Sequence, residues 1–81
     1  MWYIYILRSL KNNRVYTGST NNLERRLMEH NSGHSKYTSL TRPFELIYKE
    51  DFTTRLEARQ RELFLKTGKG RDLLKRLLEK Q

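Results

Sequence analysis

The segment from Trp2 to Ser9 constrains the fold more than any other stretch of the chain. Successive side chains of a β-strand point to opposite faces, and both faces of this segment are apolar. One face carries Trp2, Ile4 and Ile6, and the other carries Tyr3, Tyr5 and Leu7. A strand with two apolar faces needs cover on both sides, so the sequence predicts that it is the central strand of a layered sheet.

A polar turn and a second short strand follow directly. Asn12 and Asn13 in the turn tolerate left-handed backbone conformations, so the two strands should form a hairpin. In the second strand, predicted at residues 15–19, Tyr16 and Gly18 share one face. Because Gly18 has no side chain, a gap is expected beside Tyr16, and such gaps often mark a bulge or the close approach of a ligand.

The next segment predicts a short basic helix. An asparagine at position 21 or 22 can cap its start, and the Ser-Gly pair at positions 32 and 33 ends it. Leu23 and Leu27 define the buried stripe at the helical period. Arg26 and His30 then flank the core, whereas Arg25 points to solvent. Helical geometry therefore separates two arginines that are neighbours in sequence.

A polar, basic stretch at residues 34–43 separates this helix from the third predicted strand. The stretch lacks periodicity and ends at a proline, so we expect a loop with phosphate-binding potential. Residues 44–49 alternate well enough for a strand. This alternation predicts that Phe44, Leu46 and Tyr48 lie together on one face.

Two further helices complete the chain. Residues 54–57 have the pattern of a capping box and open a helix predicted at residues 55–66. Leu56 and Leu63 lie on one side of it and Ala58 and Leu65 on the other, so we expect packing on both sides. Glu62 lies beside the second pair, where its carboxylate would be partly desolvated. After two glycines, leucines at positions 73, 74, 77 and 78 predict a final helix that covers the core with a basic outer face.

The charge of the chain limits its partners. An 81-residue chain is expected to form one domain, residues 1–81, and 17 Lys and Arg against 9 Asp and Glu give a net charge of +8. A surface of this kind attracts polyanions, with nucleic acid as the first candidate and an anionic membrane as the second. The apolar start is too short for a signal peptide or a membrane span, and cysteine is absent, which suits a reducing cytoplasm.

Several short motifs together resemble one family. Tyr3-Ile4-Tyr5 and Tyr16-Thr17-Gly18 match its two tripeptides, and Lys36-Tyr37-Thr38 and the segment 57–62 match later positions in the same order. This chain resembles the GIY-YIG nucleases, particularly their small stand-alone members. The resemblance implies an α+β fold, in which a three-stranded antiparallel sheet is flanked by three helices in the order β-β-α-β-α-α.

The resemblance also implies an active site. Tyr5 and Tyr16 match the motif tyrosines near the attacking water, Arg26 the catalytic arginine, His30 its helical neighbour and Glu62 the metal ligand. The implied reaction is hydrolysis of a phosphodiester bond in DNA with one divalent ion, Mg²⁺ or Mn²⁺. Family structure implies that these groups meet on one face.

Substrate contacts beyond that site are expected from basic residues. We predict that Lys36, Arg25 and Arg42 bind nucleic acid, with DNA favoured over RNA and little reading of sequence. A chain of this length has no separate recognition domain, so it would bind weakly or depend on a homodimer or a partner protein. Ser19 follows Gly18 where DNA-repair members of the family carry a lysine, so a lysine-assisted route from that position is not expected.

Other interpretations of the same residues stay open at this point. The tyrosines of a strand are commonly core residues, and Arg26 could pair with a surface carboxylate such as Glu29. His30 could simply cover Leu27, and Glu62 could be the helical partner of Lys66. The alternative function is therefore a basic nucleic-acid-binding module that cuts poorly or not at all, and a less favoured one places the last helix on an anionic membrane.

Overall fold

The computed structural model describes residues 1–33 and 40–79. In chain order its elements are β1 (Trp2–Ser9), β2 (Val15–Thr20), α1 (Leu23–Asn31), β3 (Phe44–Phe52), α2 (Arg55–Leu65) and α3 (Gly68–Glu79). The strands form one antiparallel sheet in the order β2-β1-β3. The predicted α+β class, the order of the elements and the central position of β1 are confirmed.

The two faces of β1 pack against different helices. Ile4 and Ile6 lie in a buried cluster with Ala58 and Leu65 of α2 and Leu74 of α3. On the opposite face, a second cluster is formed by Tyr5, Leu7 and Phe44, with Tyr16, Leu23 and Leu27 packed against it. The sheet therefore separates α1 from α2 and α3, as the two apolar faces of β1 require.

A bulge in β3 contradicts the predicted alternation of that strand. Ile6 pairs with Tyr48 while Leu7 pairs with Leu46, so Ile47 is an extra residue in β3. One inserted residue reverses the side-chain alternation on either side of it. Phe44 consequently packs with Tyr5, whereas Tyr48 packs against the opposite cluster. The prediction that Phe44, Leu46 and Tyr48 share one face is wrong.

The helix α2 packs on one side only. Ala58 and Leu65 are buried, but Leu56 is 66% exposed and Leu63 is 51% exposed. The prediction that this helix packs on both sides is wrong, because the sheet and α3 cover only its Ala58 side. Its start is as predicted, since Thr54 and Glu57 form the capping box.

The termini of the other two helices depend on short-range contacts. The side chain of Asn22 accepts a hydrogen bond from the backbone N–H of Arg25 and so caps α1. The helix α3 begins at Gly68, before its first leucine, and Thr67 accepts a hydrogen bond from the Gly70 N–H. A Cβ atom at Gly70 would overlap the backbone of Phe64, so glycine is needed where α3 contacts the end of α2. No helix within residues 1–33 and 40–79 is long and apolar enough to cross a membrane.

Candidate active site

The ring of Tyr5 fills the space beside Gly18. The two residues are directly opposite each other in the β1–β2 ladder. The gap that the sequence predicts at Gly18 is occupied by this tyrosine, and the β1–β2 register passes Gly18 without a bulge. The glycine thus brings the hydroxyl group of Tyr5 to the edge of an open pocket that both residues line.

The Tyr5 hydroxyl group joins α1 to the sheet. It lies 3.1 Å from Nε2 of His30, and Nε of Arg26 donates a hydrogen bond to it over 3.3 Å. Burial raises the pKa of Tyr5 to about 12, so this phenol stays protonated near neutral pH. Burial and the nearby Arg26 charge lower the pKa of His30 to about 4, so its imidazole is neutral. Tyr5 thus accepts from Arg26, and the tautomer of the neutral His30 determines whether Nε2 accepts from the Tyr5 hydroxyl group or donates to it.

Arg26 has a second partner on its own helix. Its Nη1 lies 3.3 Å from Oε1 of Glu29, one turn away. The side chain is 34% exposed, so it is held between Tyr5 and Glu29 without leaving the solvent-accessible pocket. The ion pair with Glu29 that the sequence left open is present, and it coexists with the contact to Tyr5. Two contacts thus fix the orientation of the guanidinium group.

Glu62 is buried and carries three hydrogen bonds. Its side chain accepts from Ser19 Oγ at 2.7 Å and Arg59 Nη1 at 3.1 Å on Oε1, and from Lys66 Nζ at 2.8 Å on Oε2. Burial alone would raise the pKa of Glu62, but the hydrogen bonds from Lys66 and Ser19 outweigh burial and lower the pKa below its usual range. The carboxylate is therefore ionised. The pairing with Lys66 that the sequence left open is present, together with the contacts to Ser19 and Arg59.

The predicted site residues come from two faces of the sheet. Tyr5 and Tyr16 point toward α1, whereas Ser19 pairs with Ile4 and points toward α2, where it meets Glu62. The two tyrosines, Ser19 and Glu62 meet at the edge strand β2, where they line an open pocket of about 580 Å³. The expectation that these groups share one face therefore needs correction, because Gly18 and Ser19 bring the two layers together at an edge.

The predicted residues differ in their access to this pocket. Its lining includes Tyr5, Tyr16, Arg26 and Glu62, together with Arg25. The fully buried His30 lies behind this lining. The rings of Tyr16 and His30 meet edge to face, with centroids 5.0 Å apart. Tyr16 is half-buried while Tyr5 is only 2% exposed, so Tyr16 offers the more accessible phenol.

The three basic residues predicted to contact nucleic acid differ in where they lie. Arg42 does not line the pocket, and its guanidinium group lies against Gly33, beyond the end of α1. Lys36 lies outside the described residues. Arg25 is exposed at the pocket and is bonded to Asn21 over 3.3 Å. Of the three basic residues predicted for substrate contact, the described structure therefore places Arg25 at the pocket.

Three residues that the sequence analysis did not assign to the site also line it. Ser19 bonds to Glu62, Arg59 pairs with Glu62, and Arg55 stacks over Trp2 at 5.6 Å from the ring centroid. The signal for the arginines was available, because positions 55, 59 and 62 repeat at helical spacing and share one side of α2. The Ser19 contact had no local signal, since it joins residues 43 positions apart.

The donor set suits a hard cation with few protein ligands. Within residues 1–33 and 40–79, no cluster of three His, Asp or Glu side chains could hold a metal ion. Glu62 offers an ionised carboxylate at an open, polar pocket, which suits Mg²⁺ because this ion commonly keeps several waters and uses one or two carboxylates. A metal ion at Glu62 would share this carboxylate with Arg59 and Lys66, whose positive charges oppose its binding.

Comparisons with known proteins agree with the motifs and the fold. The profile of the GIY-YIG catalytic domain matches residues 1–77. A UPF0213 protein of Staphylococcus saprophyticus is 41% identical over 78 residues, which cover 95% of this chain and 94% of the relative. A UPF0213 protein of Bacillus pumilus is 48% identical over 66 residues, which cover 80% and 66% of the two chains.

A solved structure shows the same architecture. The solution NMR structure of a UPF0213 protein from Bacillus halodurans is similar to this chain with a TM-score of 0.56 and 34% sequence identity. The match covers 95% of this chain and 85% of that protein. The family resemblance inferred from the short motifs is confirmed by these comparisons.

Proposed function

The chain belongs to the GIY-YIG family, a family of nucleases, and we propose that it is an endonuclease that hydrolyses phosphodiester bonds in DNA. The observation that carries this proposal is that Tyr16, Arg26 and Glu62 line one open pocket. A half-buried phenol, a fixed guanidinium group and an ionised carboxylate are the groups needed around a phosphodiester. They come from β2, α1 and α2, so the pocket depends on the whole fold.

Arg26 binds the scissile phosphate in this proposal. Its forked donors match phosphate oxygens, and charge that builds on those oxygens as water attacks phosphorus strengthens the contact. Tyr5 and His30 act as positioning residues, because the Tyr5 hydroxyl group is bonded to Arg26 and His30 is bonded to that same hydroxyl group. Tyr5 is unsuited to accept a proton, since burial keeps its pKa at about 12.

Tyr16 takes the place beside the attacking water. It is the more exposed of the two motif tyrosines and lies at the pocket with Arg26. Water attacks phosphorus, the bond from phosphorus to the leaving oxygen breaks, and the proton lost by the water is balanced by one gained at the leaving oxygen. Glu62 would hold one Mg²⁺ or Mn²⁺ ion, which when bound supplies positive charge to the leaving oxygen.

Exposed cations around the pocket supply the binding energy. Arg25 and Arg55 line the pocket and are exposed, on a chain with a net charge of +8. Contacts from such residues to phosphates position a duplex without reading its sequence. Binding should therefore weaken steeply with salt, in proportion to the number of phosphates neutralised.

One observation favours the alternative function, a nucleic-acid-binding module without strong catalysis. Arg59 and Lys66 already neutralise the Glu62 carboxylate. If the two cations hold this carboxylate more strongly than a divalent ion does, the pocket would bind phosphates and not cut. The two functions share every basic contact and differ only in what Glu62 binds.

Nicking of supercoiled plasmid with Mg²⁺ or Mn²⁺ distinguishes the two functions. We expect Arg26→Ala, Glu62→Gln and Tyr16→Phe each to reduce nicking by roughly 100-fold or more, which is a typical effect of removing a group that stabilises the transition state. Arg14→Ala is the matched control, because Arg14 is exposed in the β1–β2 turn and should leave nicking unchanged. If wild type does not nick but still binds DNA, the binding module is correct. If all variants nick as wild type does, both the activity and the site assignment fail.

A further inference from the structure

A second groove lies next to the candidate active site, between β2 and α3. It has a volume of about 610 Å³, and its surface is mainly apolar. Val15, Leu74 and Leu78 contribute apolar side chains, and Lys66, Arg71 and Lys75 contribute cations. No role follows for this groove from the active-site assignment, because Tyr5, Arg26, His30 and Glu62 do not line it.

The groove shares a lining residue and a hydrogen bond with the active-site pocket. Tyr16 lines both of them. Lys66 lines the groove and bonds to Glu62, which lines the pocket. A chain bound across the pocket would therefore reach the groove by passing Tyr16 and Lys66.

Charge indicates what could fill the groove. Arg71 and Lys75 are exposed, and neither makes an ion pair within residues 1–33 and 40–79. Two unpaired cations beside an apolar floor complement a ligand that has both an anionic backbone and a flat, apolar face. A nucleotide has both parts, and proteins hold unstacked bases between aromatic or apolar side chains while basic side chains contact the backbone.

We propose that the β2–α3 groove binds an unpaired nucleotide next to the scissile phosphate. Its base lies on the floor formed by Leu78 and Val15, and its phosphates contact Arg71 and Lys75. A base within a duplex is stacked on both faces and cannot offer a free face to this floor. The preferred substrate class is therefore DNA with a splayed or single-stranded segment beside the cleavage position. This inference rests on the proposed function only in taking nucleic acid as the substrate.

A phosphate bound in the groove would also affect the contacts of Glu62. The cation bonded to Glu62 Oε2 is Lys66, which lines the groove. A phosphate in the groove would compete with Glu62 for this ammonium group. Binding of the unpaired nucleotide would thus favour release of Glu62 from Lys66.

Fluorescence anisotropy with labelled DNA tests the groove. A forked DNA with unpaired arms is compared with a blunt duplex of equal length, with EDTA present so that nothing is cut. The double variant Arg71→Gln/Lys75→Gln should bind the fork about tenfold more weakly than wild type and lose less than about threefold for the duplex. The matched control is Lys69→Gln/Arg76→Gln, which removes two exposed charges of α3 that do not line the groove. It should weaken both DNAs equally, by less than about threefold.

Equal losses for fork and duplex, or equal losses in the two double variants, would overturn the proposal, because the groove cations would then act only through net charge. A second variant, Val15→Glu, adds a carboxylate beside the groove and should also weaken the fork selectively. Thermal unfolding of each variant checks that it is folded, and all four charged positions are exposed.

Three further outcomes separate this inference from others. If Arg71→Gln/Lys75→Gln loses binding to phosphatidylglycerol vesicles but keeps its affinity for the fork, the groove is a lipid site and the proposal is wrong. If wild type never nicks DNA but the groove variant loses the fork selectively, the groove stands and the proposed catalysis falls. If the groove variant nicks forks normally and binds them with unchanged affinity, the groove proposal falls and the proposed catalysis stands.

Discussion

The hydroxyl group of Tyr5 occupies the space that a side chain at Gly18 would need. The two residues face each other across the β1–β2 ladder, and the tyrosine ring lies over the glycine. The position of Arg26 depends on this contact, because Arg26 donates to the same hydroxyl group. One glycine in an edge strand therefore determines where an arginine of α1 lies.

Gly18→Ala tests this dependence. The added methyl group must displace Tyr5, which should cost about 1–3 kcal/mol of the free energy of unfolding and move Arg26 away from its place. We expect nicking to fall by at least about tenfold, more than the stability loss alone would produce. Gly68→Ala is the control, since nothing lies within 4 Å of a Cβ atom there and alanine suits a helix. Nicking by Gly18→Ala at the wild-type rate would contradict the positioning role.

The two motif tyrosines should respond differently to loss of the hydroxyl group. Tyr5→Phe leaves Nε2 of the buried His30 without this partner and should cost about 1–3 kcal/mol in stability. The Tyr16 hydroxyl group makes no hydrogen bond within residues 1–33 and 40–79, so Tyr16→Phe should change stability by less than about 0.5 kcal/mol. Urea unfolding and plasmid nicking, measured on both variants, separate structure from catalysis. A large stability loss in Tyr16→Phe would count against its assignment to the attacking water.

Stability should fall as pH decreases from 6.5 to 4. The pKa of His30 is about 4 in the folded protein and 6.5 as its ordinary value, so in this range the unfolded chain binds a proton that the folded protein does not. The free energy of unfolding should drop by about 2 kcal/mol by pH 5 and by about 3 kcal/mol by pH 4. Glu50 and Glu62 have lowered pKa values, so their contributions are lost only below their ordinary range near 4.5.

His30→Gln is the comparison for that pH profile. Glutamine can accept a hydrogen bond from Tyr5 but does not titrate. The free energy of unfolding of the variant should therefore be nearly constant between pH 6.5 and 5. Urea midpoints at pH 7, 6 and 5 provide the measurement. Parallel curves for wild type and His30→Gln would show that His30 does not cause the acid sensitivity.

Two leucines of α2 provide a test of the one-sided packing. Leu65 is 1% exposed in the cluster with Ile4, whereas Leu63 is 51% exposed. We expect Leu65→Ala to cost about 2–5 kcal/mol in stability and Leu63→Ala less than about 1 kcal/mol. Thermal unfolding at several protein concentrations is the measurement. A large loss at Leu63 that depends on concentration would show that another chain covers this side of α2.

Much of the fold could be predicted from local patterns. The two apolar faces of β1 require a central strand with cover on both sides, and a capping box starts α2. The period of Leu23 and Leu27 places Arg26 at the core and Arg25 in solvent, as observed. Such predictions succeed because alternation, helical period and caps involve residues only a few positions apart.

The failures share a different cause. The extra residue Ile47 in β3 is visible only when the strand is paired with β1, so alternation along β3 alone gave the wrong faces. One side of α2 is exposed because no other element covers it. The residue pattern within the helix cannot predict this. Both features depend on contacts between distant segments.

The candidate site divides in the same way. By itself the sequence determined which residue types are present and, through the family motifs, predicted that Tyr5, Tyr16, Arg26, His30 and Glu62 form one site. Only the tertiary structure decided that the tyrosines and Glu62 approach from opposite faces and meet at the β2 edge. It also decided that Ser19, Arg59 and Lys66 share the carboxylate. The physical reason is that burial, charge state and hydrogen bonding at a site are set by neighbours in space, and most of these neighbours lie far apart in the chain.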